Sequence, residues 1–303
     1  MKSPTSNELI EQELVRLNKE LGAHFNSDAM ILRAPIRFGL DDLIREEIES
    51  LHPVGCGCPR PGALTVIVET TGGYIEVVER IYNVFRKHYN EVNFIVPNYA
   101  YSAGTVLVLS GDEIYMDYYS VLGPIDPQME NNNEQFVSCI GYLAKYNQLV
   151  AKINSAASTD AVRAELAYLL KNFDPAELFG YEQSRSHSED LLESWLSKHK
   201  FKDWTETETS KRTVDEDLRK VRAKEIAAIL GNPERWHSHG RGIGMKELMS
   251  EEIKLKIRDF GADSGLRSKV SSYYNLFMDY AKRLGLGSSS SVSLHTPKGF
   301  RRT

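Results

Sequence analysis

The chain has 303 residues, 41% hydrophobic and 26% charged, with a net charge of -5. It is long enough to bury a full core, its composition is that of a soluble globular protein, and so small a net charge leaves no electrostatic footprint for nucleic acid or an anionic membrane. Three cysteines, Cys56, Cys58 and Cys139, are too few for a disulfide framework and point to a reducing compartment. The charged opening stretch and the lack of any apolar run near the ~18 residues of a spanning helix read as a cytoplasmic protein.

Leu9 to Leu21 spaces leucines and an isoleucine at helical intervals among charges, which predicts an amphipathic N-terminal helix with a face available to a partner subunit. Ala29-Met-Ile-Leu32 is a short strand closed off by Pro35. Leu40 to Leu51 reads as a helix with Asp41 and Asp42 favourably placed at its positive end. His52 to Gly62 is a loop dense in proline and glycine. It holds Cys56 and Cys58, but a Cys-x-Cys pair without a second pair is no zinc site.

Leu64-Thr-Val-Ile-Val-Glu69 is a nearly continuous β-branched run, as expected of a strand covered on both faces of a parallel sheet. Thr70-Thr-Gly-Gly73 turns it into a helix with Ile75, Val78, Ile81, Tyr82 and Phe85 on its apolar face. The next strand, Val92 to Val96, leads through Pro97 and Asn98 to Ala100-Tyr-Ser-Ala-Gly104 and a helix of small and apolar residues. Small neighbours are what a sharp strand-to-helix bend needs if the Ser102 hydroxyl is to project clear. The Ala-x-Ser-x-Gly pattern is close to the Gly-x-Ser-x-Gly nucleophile elbow. The bland reading of Ser102 is a helix N-cap, and that of Gly72 and Gly73 a tight turn. Side by side at the carboxyl ends of adjacent strands, where open α/β sheets place their sites, the paired serine and glycines shift the reading toward a nucleophile with backbone N–H donors for an oxyanion.

Glu113-Ile-Tyr-Met116 is a further strand, followed by the turn Gly123-Pro-Ile-Asp-Pro127. Repeated strand–turn–helix units predict an α/β fold on a parallel sheet. Phe136 to Leu149 is mixed and ends in a helix, and Ala161 to Leu230 is almost wholly helical in pattern, with Leu191, Leu192, Trp195 and Leu196 as core positions. Asn232-Pro233 ends that region. The loop Trp236 to Ile243 brings His237 and His239 without a carboxylate to complete a metal set, so neither a metal nor an organic cofactor is expected. A serine-rich stretch from Ser288 to Ser291, with Arg301 and Arg302 close to the end, reads as a disordered tail.

Four segments in order, Val68 to Glu76, Ile95 to Thr105, Gly111 to Asp117 and Val121 to Gln128, together resemble the serine dehydrogenase proteinase family, Clp-fold serine peptidases related to signal peptide peptidase A and more distantly to crotonases. Phe173 to Leu178, Glu182-Gln183 and His239 to Ile243 add to the resemblance, which runs from about Ala29 to Phe260. It implies a Clp/crotonase-like β/α superhelix of ββα units spanning 29–260, with a helical arm at 1–28 and a C-terminal extension at 261–303. It further implies a serine endopeptidase with Ser102 as nucleophile, Gly72 and Gly73 at the oxyanion position, peptide or protein substrates, and a homo-oligomer without a membrane anchor. The chain departs from the Clp protease pattern in having no histidine between Gly123 and Gln128. The serine–lysine dyad of the signal peptide peptidase A relatives then becomes the expectation, with Lys145 first, Lys152 second and His239 third as general base. Two other readings stay open: a crotonase-like acyl-thioester enzyme, and an oligomeric scaffold of the same fold without chemistry.

Overall fold

The computed structural model describes residues 3–53, 61–125, 128–130, 136–155, 159–207, 210–236 and 240–302. In chain order the elements are α1 (Ser6–Phe25), β1 (Asp28–Arg33), α2 (Leu40–Leu51), β2 (Ala63–Glu69), α3 (Ile75–His88), β3 (Glu91–Ile95), β4 (Tyr99–Ala100), α4 (Ala103–Leu109), β5 (Glu113–Met116), β6 (Val121–Leu122), β7 (Gln128–Glu130) and β8 (Phe136–Ser138). There follow α5 (Cys139–Ser155), α6 (Thr159–Asn172), α7 (Pro175–Trp195) running into a π-helical turn (Leu196–Lys200), α8 (Glu216–Leu230), α9 (Pro233–Trp236), β9 (Ile243–Gly244), α10 (Met245–Leu248), β10 (Arg258–Asp259), α11 (Ser264–Arg283), β11 (Ser293–Thr296) and β12 (Gly299–Arg302).

The fold is α/β, as the strand–turn–helix rhythm predicts. A seven-stranded sheet in the order β10-β5-β3-β2-β1-β11-β12 carries five mutually parallel strands, with β11 and then β12 added at one side by antiparallel pairing. The pleat explains why β2 is apolar on both faces from Leu64 to Val68 apart from Thr65. Leu64, Val66 and Val68 pack in the core beneath α2, α3, α4 and α7, whereas Ile67 points to a second core built with α1 and α11. The same alternation splits β1 into Met30 and Leu32 on one side, Ala29 and Ile31 on the other. Full burial of such side chains is worth about 1.5–3 kcal/mol each.

A second, three-stranded sheet, β4-β6-β9, lies at the carboxyl ends of the main strands. β3 of the large sheet is thus followed by β4 of the small one and then α4, while β5 is followed by β6. This is the ββα order that the resemblance implies. Isolated parallel bridges, Thr70 with Ala100 and Ile36 with Gly73, extend the small layer toward β2 and β1.

Two terminal segments differ from the sequence reading. The apolar face of α1 is used inside the chain: Leu14, Leu17 and Leu21 are buried against α11 and β1, so that face is closed to another subunit. The expected disordered tail instead holds β11, paired antiparallel with β1 (Leu32 with Leu294), and β12 beside it. Leu294 and His295 are fully buried. The serine-rich stretch precedes these strands and masks a short run that is held by pairing with β1 and β12 and by burial against α11.

Burial of that run has a pH consequence. His295 Nδ1 lies 2.6 Å from the Tyr273 hydroxyl, and desolvation pushes the imidazole pKa down to about 4. His199, 2.8 Å from the Tyr82 hydroxyl, is likewise pushed down to about 4, first by burial and then by nearby Arg86. An unfolded chain binds these protons at about pH 6.5, so folding stability is full above that pH and falls as the pH drops from 6.5 toward 4. At pH 5 each histidine is expected to cost about 2 kcal/mol relative to pH 7.5. Urea unfolding at the two pH values checks this, and His295→Gln should remove its share of the difference.

Candidate active site

Ser102 sits where β4 gives way to α4. Its backbone, φ 55 and ψ -121, is that of the first central residue of a type II′ turn, closed by the Gly104 N–H donating to the Tyr101 carbonyl at 2.8 Å. Glycine is the residue that takes this conformation without strain, and a serine held there costs about 1–3 kcal/mol, a kind of strain that clusters at functional sites. Although Ser102 occupies the N-cap position of α4, its side chain makes no capping bond. The bland reading of the serine therefore fails on its own criterion.

The glycine turn lies directly against this elbow. Thr70 N–H donates to Tyr99 O at 3.2 Å and Tyr101 N–H donates to Thr70 O at 3.0 Å, a parallel pairing that carries the tip of β2 past β4. Gly72 has φ +89, and a Cβ placed on it would stand 2.5 Å from Tyr101 O and 2.9 Å from Ser102 Cβ. Gly73 has φ +149 and lies so close to the Ile36 carbonyl that any side chain there would collide with it. Gly104 is required for a different reason: a Cβ on it would overlap Thr70 Cγ2, so the first turn of α4 packs on the tip of β2 only without a side chain. Thr105 completes the frame, its hydroxyl oxygen 2.9 Å from Ala100 O and 2.8 Å from Gly123 O while accepting from Gly123 N–H at 3.0 Å.

The donors divide unevenly. Gly72 N–H is spent on Thr70 Oγ1 at 3.0 Å, so Gly72 supplies the close approach. The N–H groups of Gly73 and Ala103 meet no acceptor among the described residues. Ala103 was not singled out from the sequence, yet the residue after the nucleophile is the usual second donor of an elbow site. Ser102 itself is 1% exposed.

Neither of the two expected lysines is buried. Lys145 and Lys152 are both exposed on α5, a helix that packs on α6 and α7, and Lys152 Nζ stands 3.7 Å from Glu165 across a surface ion pair. The desolvation expected from the apolar and aromatic neighbours of Lys145 is not found in the single chain: those side chains turn to Tyr181 and Phe173, and the ammonium turns to solvent. His239 lies outside the described residues, as do Cys56, Cys58 and His237. Among the described residues no group of three or more histidine, cysteine or acidic side chains is arranged to hold a metal, and no helix is long and apolar enough to cross a membrane.

Comparison with known proteins follows the same residues. Residues 48–148 match the family model of ClpP-like SDH-type serine proteinases, the family that the four motifs resemble. Two uncharacterized proteins of Methanocaldococcus jannaschii are similar, one 39% identical over 84 residues and the other 37% identical over 71. The matched segments are 28% and 23% of this chain and only 29% and 24% of those relatives. Among solved structures, ClpP1 from Listeria monocytogenes aligns over 82% of this chain and 95% of its own at 9% identity and a TM-score of 0.39. A membrane-bound stomatin-specific protease, 1510-N, aligns over 50% and 74% at 18% identity and a TM-score of 0.30.

Gly72→Ala tests the contact on which this geometry rests. A methyl group against Tyr101 O and Ser102 Cβ at positive φ is expected to destabilise the fold by about 1–3 kcal/mol, read as a lower midpoint in urea at unchanged slope. Gly285→Ala, also at positive φ but with open space around it, should cost less.

Proposed function

We propose that the chain is a serine peptidase that hydrolyses peptide bonds through an acyl-enzyme on Ser102. The Ser102 oxygen attacks the scissile carbonyl, its proton passes to a base and on to the departing amine, and water then releases the acyl group. The backbone N–H groups of Gly73 and Ala103, with Gly72 allowing the close approach, face the oxygen on which negative charge develops, a contribution of about 3–4 kcal/mol in enzymes of this kind. The observation that carries the reading is the Ser102 elbow itself: a non-glycine residue at φ 55, not capping its helix, with Gly72 pressed against it. The family match over residues 48–148 supports the same chemistry. Substrates are peptides or proteins met in a reducing, cytoplasmic setting.

The base follows from what a lysine needs. An ammonium gives up its proton near neutrality only when burial or a like charge disfavours it. Neither Lys145 nor Lys152 is buried within one chain, so a dyad requires the lysine to be covered by substrate or by another copy of the chain in a homo-oligomer. Lys145 ranks first because Lys152 is already engaged with Glu165. The burial of Ser102 together with these exposed lysines favours a second reading, a scaffold that keeps the fold without turnover.

Labelling with a fluorophosphonate probe separates the two. Wild type should take up one probe per chain at Ser102 and Ser102→Ala none, with equal thermal midpoints since the lost hydroxyl leaves little cavity. Failure of the assembled wild type to label would establish the scaffold. In a peptide assay, Lys145→Met should lower kcat/KM by about 100-fold or more while Lys152→Met stays near wild type. A dead His239→Gln beside an active Lys145→Met would move the base to the histidine.

A further inference from the structure

The last residue of β2, Glu69, is a buried carboxylate directly before Thr70-Thr-Gly-Gly73. Its two oxygens are shared among separate parts of the chain. Arg33 Nε donates to one at 3.0 Å, and Asn98 Nδ2 donates to the other at 2.9 Å. The hydroxyl of Tyr274, on α11, donates to the same oxygen as Asn98. Arg33 in turn donates to the carbonyls of Leu286 at 2.9 Å and Gly287 at 3.1 Å, just beyond α11.

Stability alone is a poor reason for such an arrangement. A buried ion pair is often matched or exceeded by apolar side chains of the same volume, because desolvation consumes most of the attraction. What this pair achieves is placement. Asn98 immediately precedes Tyr99 and Ala100, whose backbone pairs with Thr70, and Thr70 immediately follows Glu69. One carboxylate therefore fixes both sides of the pairing that presses Gly72 onto Ser102. Burial and the charge of Glu69 hold the Tyr274 hydroxyl well above the ordinary tyrosine range, so it stays a donor throughout the working pH.

We infer that Glu69 is a positioning residue for the Ser102 turn and that, through Tyr274, the C-terminal helix α11 sets the rate at which Ser102 is acylated. This rests on the peptidase reading. Displacement of a reacting group by about 1 Å can cost on the order of a hundredfold in rate, and loosening this anchor acts through such a displacement without touching the substrate.

The test uses the whole chain and the fluorophosphonate probe, with the maximal labelling rate separated from the probe's binding constant. Glu69→Gln is expected to lower the maximal rate by about tenfold or more and Tyr274→Phe by about threefold or more, each with probe binding within about twofold of wild type. Tyr89→Phe is the structural control: it removes a 2.6 Å bond to Asp28 at the other end of the sheet, and should lower the thermal midpoint while labelling at the wild-type rate. Should Glu69→Gln not fold, Tyr274→Phe decides alone, since it loses only a hydroxyl. Wild-type rates in Tyr274→Phe, or slowing no greater than in a Tyr89→Phe protein of equal thermal midpoint, would overturn the inference while the peptidase reading stands. A wild type that never labels at Ser102 would remove both.

Discussion

The backbone pairing between Thr70 and Ala100 joins two strand tips that belong to different parts of the chain, and the candidate site depends on it. Two hydrogen bonds, Thr70 N–H to Tyr99 O and Tyr101 N–H to Thr70 O, bring the glycine turn after β2 alongside the serine turn after β3. Main-chain carbonyls leave no room for a side chain at Gly72, against Tyr101 O, or at Gly73, against Ile36 O, and the Thr70 methyl crowds Gly104 in the same way. The strain of Ser102 at positive φ persists because this frame over-determines the turn. Thr105, tied to Ala100 and Gly123, holds the other side of it.

The large sheet provides the rigidity behind that frame. Its central strands are covered on both faces, by α2, α3, α4 and α7 on one and by α1 and α11 on the other, so β2 and β3 cannot shift without opening two cores. At the far side the sheet ends in β11 and β12, and the outermost strand carries Arg301 and Arg302, charges of the kind that discourage pairing with another edge. Arg301 is anchored to the buried carboxylate of Glu47 at 2.6 Å, so the C-terminal strand is held by an ion pair as well as by its ladder.

The N-terminal ends of the strands show a contrasting use of charge. Asp112 accepts from Arg86, Lys202 and the Val92 N–H. Burial opposes its charge, but those three donors outweigh it and hold the carboxyl below its usual range. That cluster, with Lys200 Nζ donating to the Asp112 carbonyl at 3.1 Å, fastens the end of the π-helical turn after α7 to the sheet at the strand ends opposite the serine turn. At the carboxyl ends, by contrast, Glu69 spends its bonds on the segments that shape the turn. Two buried carboxylates at opposite strand ends thus serve different tasks, one docking helices and the other framing a site.

Much of this was legible in the residues. The β-branched run Leu64 to Glu69, the helical spacing of Ile75 to Phe85 and the small-residue bend around Ser102 fixed local structure, since strand and helix periodicities and turn chemistry act over a few neighbouring residues. The glycine pair and the serine were readable as partners because adjacent parallel strands present their tips together. The fate of α1 and of the last strands was not: an amphipathic face or a short alternating run does not say which surface will cover it, and α11 and the β1 edge lie far away in sequence. Nor could spacing reveal that Gly72 N–H is spent on Thr70, that Ala103 N–H meets no acceptor among the described residues, or that Lys145 is exposed. Sequence alone determined the strands and helices from β1 to β5, the elbow and the nucleophile candidate, because local sterics dictate them. Only the tertiary structure decided which groups meet there, because burial and pairing across long separations are set by the packed chain as a whole.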